Sequence, residues 1–123
     1  MKTESGILLK QGVPAAPTID DLPNEVRDDT ITLKWSKPQN NGKVITLYTV
    51  YQRIVTDGKP EEWSKLKTIT DVSVRESTVN LQSGKVNEFM VTATNKFGES
   101  LKEEGKVMRV KASRGMFTIL YFC

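Results

Sequence analysis

Four pairs of adjacent carboxylates stand out among the residues able to do chemistry: Asp20-Asp21, Asp28-Asp29, Glu61-Glu62 and Glu103-Glu104. Convergent oxygens of this kind are what a hard divalent cation requires. Neighbouring residues of an extended chain point to opposite faces, however, and no Asp-x-Asp-x-Asp-Gly loop spaces the acids around one ion. They read as solvated loop acids, and no metal ligand is assigned. The chain has no histidine, so it lacks the commonest general base and the usual partner of a nucleophilic Ser or Cys. Its one cysteine, Cys123, cannot form an internal disulfide or a cysteine-based zinc site. No catalytic residue and no cofactor site is assigned, and an enzyme is not expected.

The elements that would position any site belong to a chain of 123 residues, one domain's worth of material. Hydrophobic residues make up 37% and charged residues 27%, an ordinary globular composition. Lys and Arg exceed Asp and Glu by three, but the signs are interleaved, as in Lys59-Pro60-Glu61-Glu62 and Lys102-Glu103-Glu104-Gly105-Lys106. A nucleic-acid module gathers its basic residues on one face, so no nucleic-acid partner is expected. The apolar run Ile7-Leu8-Leu9 stops at Lys10, short of the roughly 7–15 residues of a secretory signal. The run 116–123 is apolar but far below the roughly 20 residues that span a bilayer. Arg109, Lys111 and Arg114 precede it and oppose the positive-inside tendency. Membrane insertion is not expected.

Residues 1–12 show no period and read as a flexible extension, and residues 113–123 as an apolar tail. Between them, 13–112 form one domain that opens on the stiff segment Pro14-Ala15-Ala16-Pro17. Within it apolar residues alternate with period two, cut by turn residues at short intervals, which predicts an antiparallel sandwich. Seven strands are expected, at 19–26, 30–35, 45–55, 63–69, 77–81, 88–94 and 106–112. The first is weak and centred on Leu22. Turns are read at Asn40-Asn41-Gly42 and Asp57-Gly58, where Asn, Asp and Gly accept positive φ. The expected core is Ile31, Leu33, Trp35, Tyr48, Val50, Leu81, Phe89, Val91 and Ala93, buried between two sheets about 10 Å apart.

These residues, in this order, resemble a fibronectin type III domain over most of the chain. Pro14 and Pro17 sit where that family has its leading prolines, and Ile31-x-Leu33-x-Trp35 resembles its second strand with the core tryptophan. Trp35-Ser36-Lys37-Pro38 and the Asn-Gly turn are similar to its Trp-x-x-Pro and following turn. Ile45-x-x-Tyr48-x-Val50 resembles the third strand, and Phe89-x-Val91-x-Ala93-x-Asn95 the sixth. The resemblance implies an all-β, immunoglobulin-like sandwich of seven antiparallel strands in two sheets. One position departs from the pattern. The family's tyrosine two residues before the sixth-strand phenylalanine is Asn87 here, so the corner is held by a different hydrogen bond or is looser than usual. Restoring the tyrosine is expected to bring a modest gain in stability. Ser83 also replaces the turn proline beside it.

The resemblance implies a non-catalytic interaction or spacer module of a larger scaffold protein, a monomeric domain that binds protein partners. Its working surface would be the sheet of the third, fourth, sixth and seventh strands together with Asn40, Asn41 and Gly42. Trp63, Lys65 and Lys67 belong to that surface, the two lysines on one strand face. Such a lysine stripe would also suit a heparin-like polyanion, although the stronger reading is that the lysines protect the sheet against edge-to-edge pairing. Trp63-Ser64 matches only half of the Trp-Ser-x-Trp-Ser box of cytokine receptors, and no Arg-Gly-Asp is present. Without a signal peptide, sequon or disulfide the reading leans to an intracellular setting, as in muscle scaffolds. An adhesion or receptor ectodomain is the alternative if the chain is a fragment. The register makes Trp35 a core residue, so Trp35→Ala should lower the unfolding free energy by about 3–5 kcal/mol, measured as a shifted denaturant midpoint; an unshifted midpoint would place Trp35 outside the core.

Overall fold

A computed structural model describes residues 12–113. Nine strands are formed among them: β1 (Glu25–Val26), β2 (Thr30–Lys34), β3 (Leu47–Thr56), β4 (Lys59–Pro60), β5 (Ser64–Ile69), β6 (Glu76–Asn80), β7 (Val86–Asn95), β8 (Gly98–Glu99) and β9 (Met108–Ala112). The larger sheet runs β1-β9-β7-β3-β4, with β5 also pairing to β3 and β8 to β7; the smaller is β2-β6. The expected two-sheet sandwich is the one observed, with β4 and β8 as additional two-residue strands. The Thr56–Lys59 hairpin closes on Asp57 (φ 52°) and Gly58 (φ 78°), the left-handed pair that a two-residue turn requires.

The first expected strand is divided between the two sheets. Ile19 forms an antiparallel bridge to Trp35 beside β2, whereas Glu25 and Val26 pair with Lys111 and Ala112 in parallel. Pro23 lies between them and has no N–H for either ladder. The sandwich is therefore not wholly antiparallel. Gly12 and Ser113, assigned by sequence to the flanking extensions, are bonded into the fold: Gly12 N–H donates to Asn41 O and Ser113 N–H to Val26 O. The remaining assignments for the extension and the tail lie outside the described residues.

Eight of the nine expected core residues are buried. Ile31 is the exception; it is half-buried and packs against the cluster from its margin. Leu33 on β2 and Trp35 just beyond it sit deeper between the sheets, where Trp35 meets Tyr48 edge-on at 5.6 Å between ring centroids. Pro14 and Pro17 are fully buried as well.

Asn87 is completely buried, opposite Ile54 on β3 and Val110 on β9. Its Oδ1 accepts from Gln82 N–H at 2.9 Å and from Gln52 Nε2 at 2.9 Å. Its Nδ2 donates to Gln82 O at 3.2 Å and Lys85 O at 3.0 Å. One amide thus bonds three backbone groups of the turn before β7, Gln82 N–H, Gln82 O and Lys85 O, where Gly84 takes φ 76° in place of a proline-set bend. The expected gain from Asn87→Tyr is accordingly corrected. A ring there would overfill a closed site, which costs about 1–3 kcal/mol, and would strand the turn's buried polar groups. Asn87→Ala should destabilise by about 2–4 kcal/mol, since each buried group left unpaired costs about 1–3 kcal/mol; Asn87→Tyr should also melt lower than the parent. A higher midpoint for Asn87→Tyr would contradict this description of the corner.

Candidate functional site

The alternation of β7 places Phe89, Val91 and Ala93 toward the core, which leaves Glu88, Met90 and Thr92 on the outer side of the sheet. Outer residues of an antiparallel sheet commonly face water. Here all three are buried. Glu88 stands directly opposite Arg53 of β3 and Arg109 of β9, so three strands place three charges in one row. Arg53 Nε donates to Glu88 Oε1 at 2.8 Å, and Arg109 donates to Oε2 through Nε at 3.0 Å and Nη2 at 2.8 Å. Burial pushes the Glu88 carboxyl up, but the hydrogen bonds and charges of Arg109 and Arg53 outweigh it and hold it below the usual carboxylate range. Trp63 covers Arg53, its ring centroid 4.1 Å from the guanidinium carbon. The Arg109 side chain remains 63% exposed.

One turn further along the face, the chain covers itself. Between the pairs Thr94–Glu99 and Phe89–Met108, the chain opposite β7 uses eight residues where β7 uses four. The surplus loops out through a 3₁₀ turn, Lys102–Glu104, and lies over Met90. Gly105 fits there only because it has no side chain: an added Cβ would stand 2.7 Å from Met90 Sδ. Lys102 Nζ sits 4.7 Å above the Tyr51 ring. Glu99 Oε2 accepts from the Tyr51 hydroxyl and from Thr92 Oγ1, the latter at 2.6 Å. Burial, and then the hydrogen bond and charge of Glu99, push the Tyr51 phenol up to about 12. Burial also raises the Glu99 carboxyl, while Thr92, Tyr51 and the charges of Lys102 and Lys65 reverse this and leave it lowered.

Trp63 therefore lies on the expected face, beside Arg53. The two lysines do not share it. The β3–β5 register slips between Val50 and Tyr51, pairing Val50 with Lys67 but Tyr51 with Lys65. Leu66 is the extra residue of a β-bulge, which breaks the period of two. Lys65 stays on the outer face near Glu99, whereas Lys67 reaches across to β6 and donates to Thr78 O at 2.9 Å. The polyanion stripe drawn from these lysines is dispersed. Asn40, Asn41 and Gly42 form the expected turn, but its polar groups are engaged internally: Gly42 N–H donates to Asn40 Oδ1, Asn41 Nδ2 to Val13 O, and Asn95 Nδ2 to both Asn40 O and Gly12 O. Glu88, Arg53 and Arg109 escaped the sequence reading because alternation marks outward residues as solvated. The one available signal was a carboxylate placed directly before the apolar run Phe89-Met90-Val91.

No family model matches the chain. Its structure is similar to that of titin kinase and its flanking domains, at 25% identity and a TM-score of 0.53, over 85% of this chain and 16% of that one. It is similar to FN3tt at 23% identity and 0.56, over 85% of this chain and all of the other. A fourth FNIII domain from human matches at 18% identity and 0.56, covering 86% of this chain and 83% of that one. The immunoglobulin-like sandwich is thus of one particular kind. The chain has the fibronectin type III fold. It spans about a sixth of the titin structure that it matches, so a segment of this kind forms a module within a much larger chain.

The outer face makes stability depend on pH at both ends. Glu88 and Glu99 titrate lower in the folded than in the unfolded chain. Their contribution is complete above about pH 5 and is lost as the medium is acidified through the folded values. Tyr51 titrates higher, at about 12 against 10.0, so its contribution is complete below pH 10 and is lost as pH rises from there. The melting temperature should hold between about pH 6 and 9 and fall on either side. Glu88→Gln should lower the plateau by about 1–2 kcal/mol, discounted because both arginines are partly exposed, and shallow the acid limb. Tyr51→Phe should shallow the alkaline limb and, because Glu99 loses one donor, the acid limb to a smaller extent.

Proposed function

We propose that the chain is a non-catalytic, monomeric interaction module of a larger protein, and that the uncovered half of the outer face is its contact surface. The observation that carries this reading is the Arg53–Glu88–Arg109 row with Trp63 laid on Arg53. A buried carboxylate fixes both guanidinium groups before any partner arrives, and Arg109 keeps most of its surface in solvent. Arg and Trp are the side chains that most often dominate a protein interface, and donors held in place lose less entropy on binding. Lys111 stands beside them on the same face. The Asn40–Gly42 turn, which the sequence grouped with this surface, is bonded to Asn95 at the far end of β7 and is left out of the proposed contact. The partner class is protein. The same rigidity suits a spacer between neighbouring modules, and such a role would leave the face silent.

The two are separated by photo-crosslinking from a benzophenone side chain installed at position 111 in the full-length protein in its native cells. A discrete protein adduct is expected, lost in Trp63→Ala/Arg109→Ala with the melting temperature lowered by only a few degrees. No adduct, or one that survives the double variant, would assign the domain to spacing.

A further inference from the structure

At one end of the sandwich, the loop between β2 and β3 and the loop between β5 and β6 enclose a cleft of about 400 Å³. Lys37 and Arg75 line it, Val44 and Val72 form its apolar wall, and Tyr48 forms part of its floor. No carboxylate lines it. The nearby Asp71 is occupied elsewhere, accepting from Ser73 N–H at 3.1 Å and Ser73 Oγ at 2.6 Å. Two features here lack an internal explanation. Val44 is 73% exposed, the most exposed of the large hydrophobic residues described. Tyr48 is 99% buried as a residue, and its hydroxyl forms no hydrogen bond to a described residue; burial and the nearby charge of Arg75 act upon it. Trp35, whose buried indole N–H lacks a partner among the described residues, lies on the wall of the adjoining cleft, and Arg75 is common to both.

We infer that this cleft binds an acidic side chain of a partner polypeptide, its carboxylate held by Arg75, Lys37 and the Tyr48 hydroxyl while a neighbouring apolar residue covers Val44 and Val72. Two cations with no acid among them provide the charge complementarity, and an unpartnered phenol supplies a donor that a carboxylate would satisfy. The exposed valine beside them selects against a sulfated sugar, which has no apolar part to place there. The adjoining cleft mixes Asp20 and Glu76 with Lys34 and Arg75, so it adds no charge preference of its own. The cleft is separate from the Trp63–Arg109 face and goes beyond the reading given for it.

The test is an NMR titration of the full chain with a capped peptide carrying Ile-Glu-Lys, against its Ile-Gln-Lys counterpart and a heparin hexasaccharide. The glutamate peptide should shift the amides of Lys37, Val44, Val72 and Arg75, with the glutamine peptide at least tenfold weaker. Arg75→Gln should remove that tenfold preference. Tyr48→Phe should weaken the glutamate peptide about three- to tenfold while leaving the melting temperature unchanged or higher, because it removes only an unpaired hydroxyl. Trp63→Ala should have no effect, which separates this site from the outer face. Equal binding of the two peptides, shifts centred elsewhere, tighter binding of the hexasaccharide, or a Tyr48→Phe variant that binds as the parent does would each overturn the assignment.

Discussion

Strand β7 is buried on both faces, and this constraint organises the rest of the molecule. A strand in that position cannot leave a polar group unpaired, because each would cost about 1–3 kcal/mol. Yet β7 carries Asn87, Glu88, Thr92 and Asn95, all buried. Each is satisfied by a different set of partners. Asn87 holds the turn before the strand and Gln52 of β3; Glu88 holds Arg53 and Arg109; Thr92 meets Glu99 of β8; Asn95 holds Gly12 and the Asn40 carbonyl. The side chains that the core cannot use become the ties that position the loops and the outer face.

This arrangement explains why the candidate surfaces are rigid. The outer row of charges is set by one buried carboxylate rather than by exposed pairs, which contribute little. The looped-out segment through Lys102–Glu104 covers the part of β7 where Met90 would otherwise face water. The end cleft inherits its floor from Tyr48, which packs against Trp35 from β3, and its rim from loops anchored at Asn95 and at the Asp71–Ser73 turn. Binding at either place would require little rearrangement of the backbone.

Much of the fold was legible in the sequence because period-two alternation reports the inner faces directly. Leu33, Trp35, Tyr48, Val50, Phe89, Val91 and Ala93 follow from it, as does the Asp57-Gly58 hairpin. What was hidden falls where period two fails or where burial comes from elsewhere in the chain. The bulge at Leu66 moved Lys67 off the face shared with Lys65, and nothing in Ser64-Lys65-Leu66-Lys67 announces it. Pro23 divided the first strand between sheets. Glu88 and Thr92 alternate as solvated residues should, and only the segment across the sheet and the two arginines bury them. Asn87 showed as a missing tyrosine, but the amide's four hydrogen bonds depend on backbone groups whose positions the turn alone decides.

The central claim is that polar side chains of β7 position separate loops independently of one another. Native-state hydrogen exchange on Asn95→Ala tests it most directly, because Asn95 ties down the segment whose Gly12 and Ala15 amides bond to Asn41 O and Gln39 O. The account predicts that those two amides exchange at least tenfold faster in the variant, while the Gln82 amide held by Asn87 at the other end of the strand keeps its protection relative to global unfolding. Equal loss of protection at both ends, or none at Gly12 and Ala15, would contradict it.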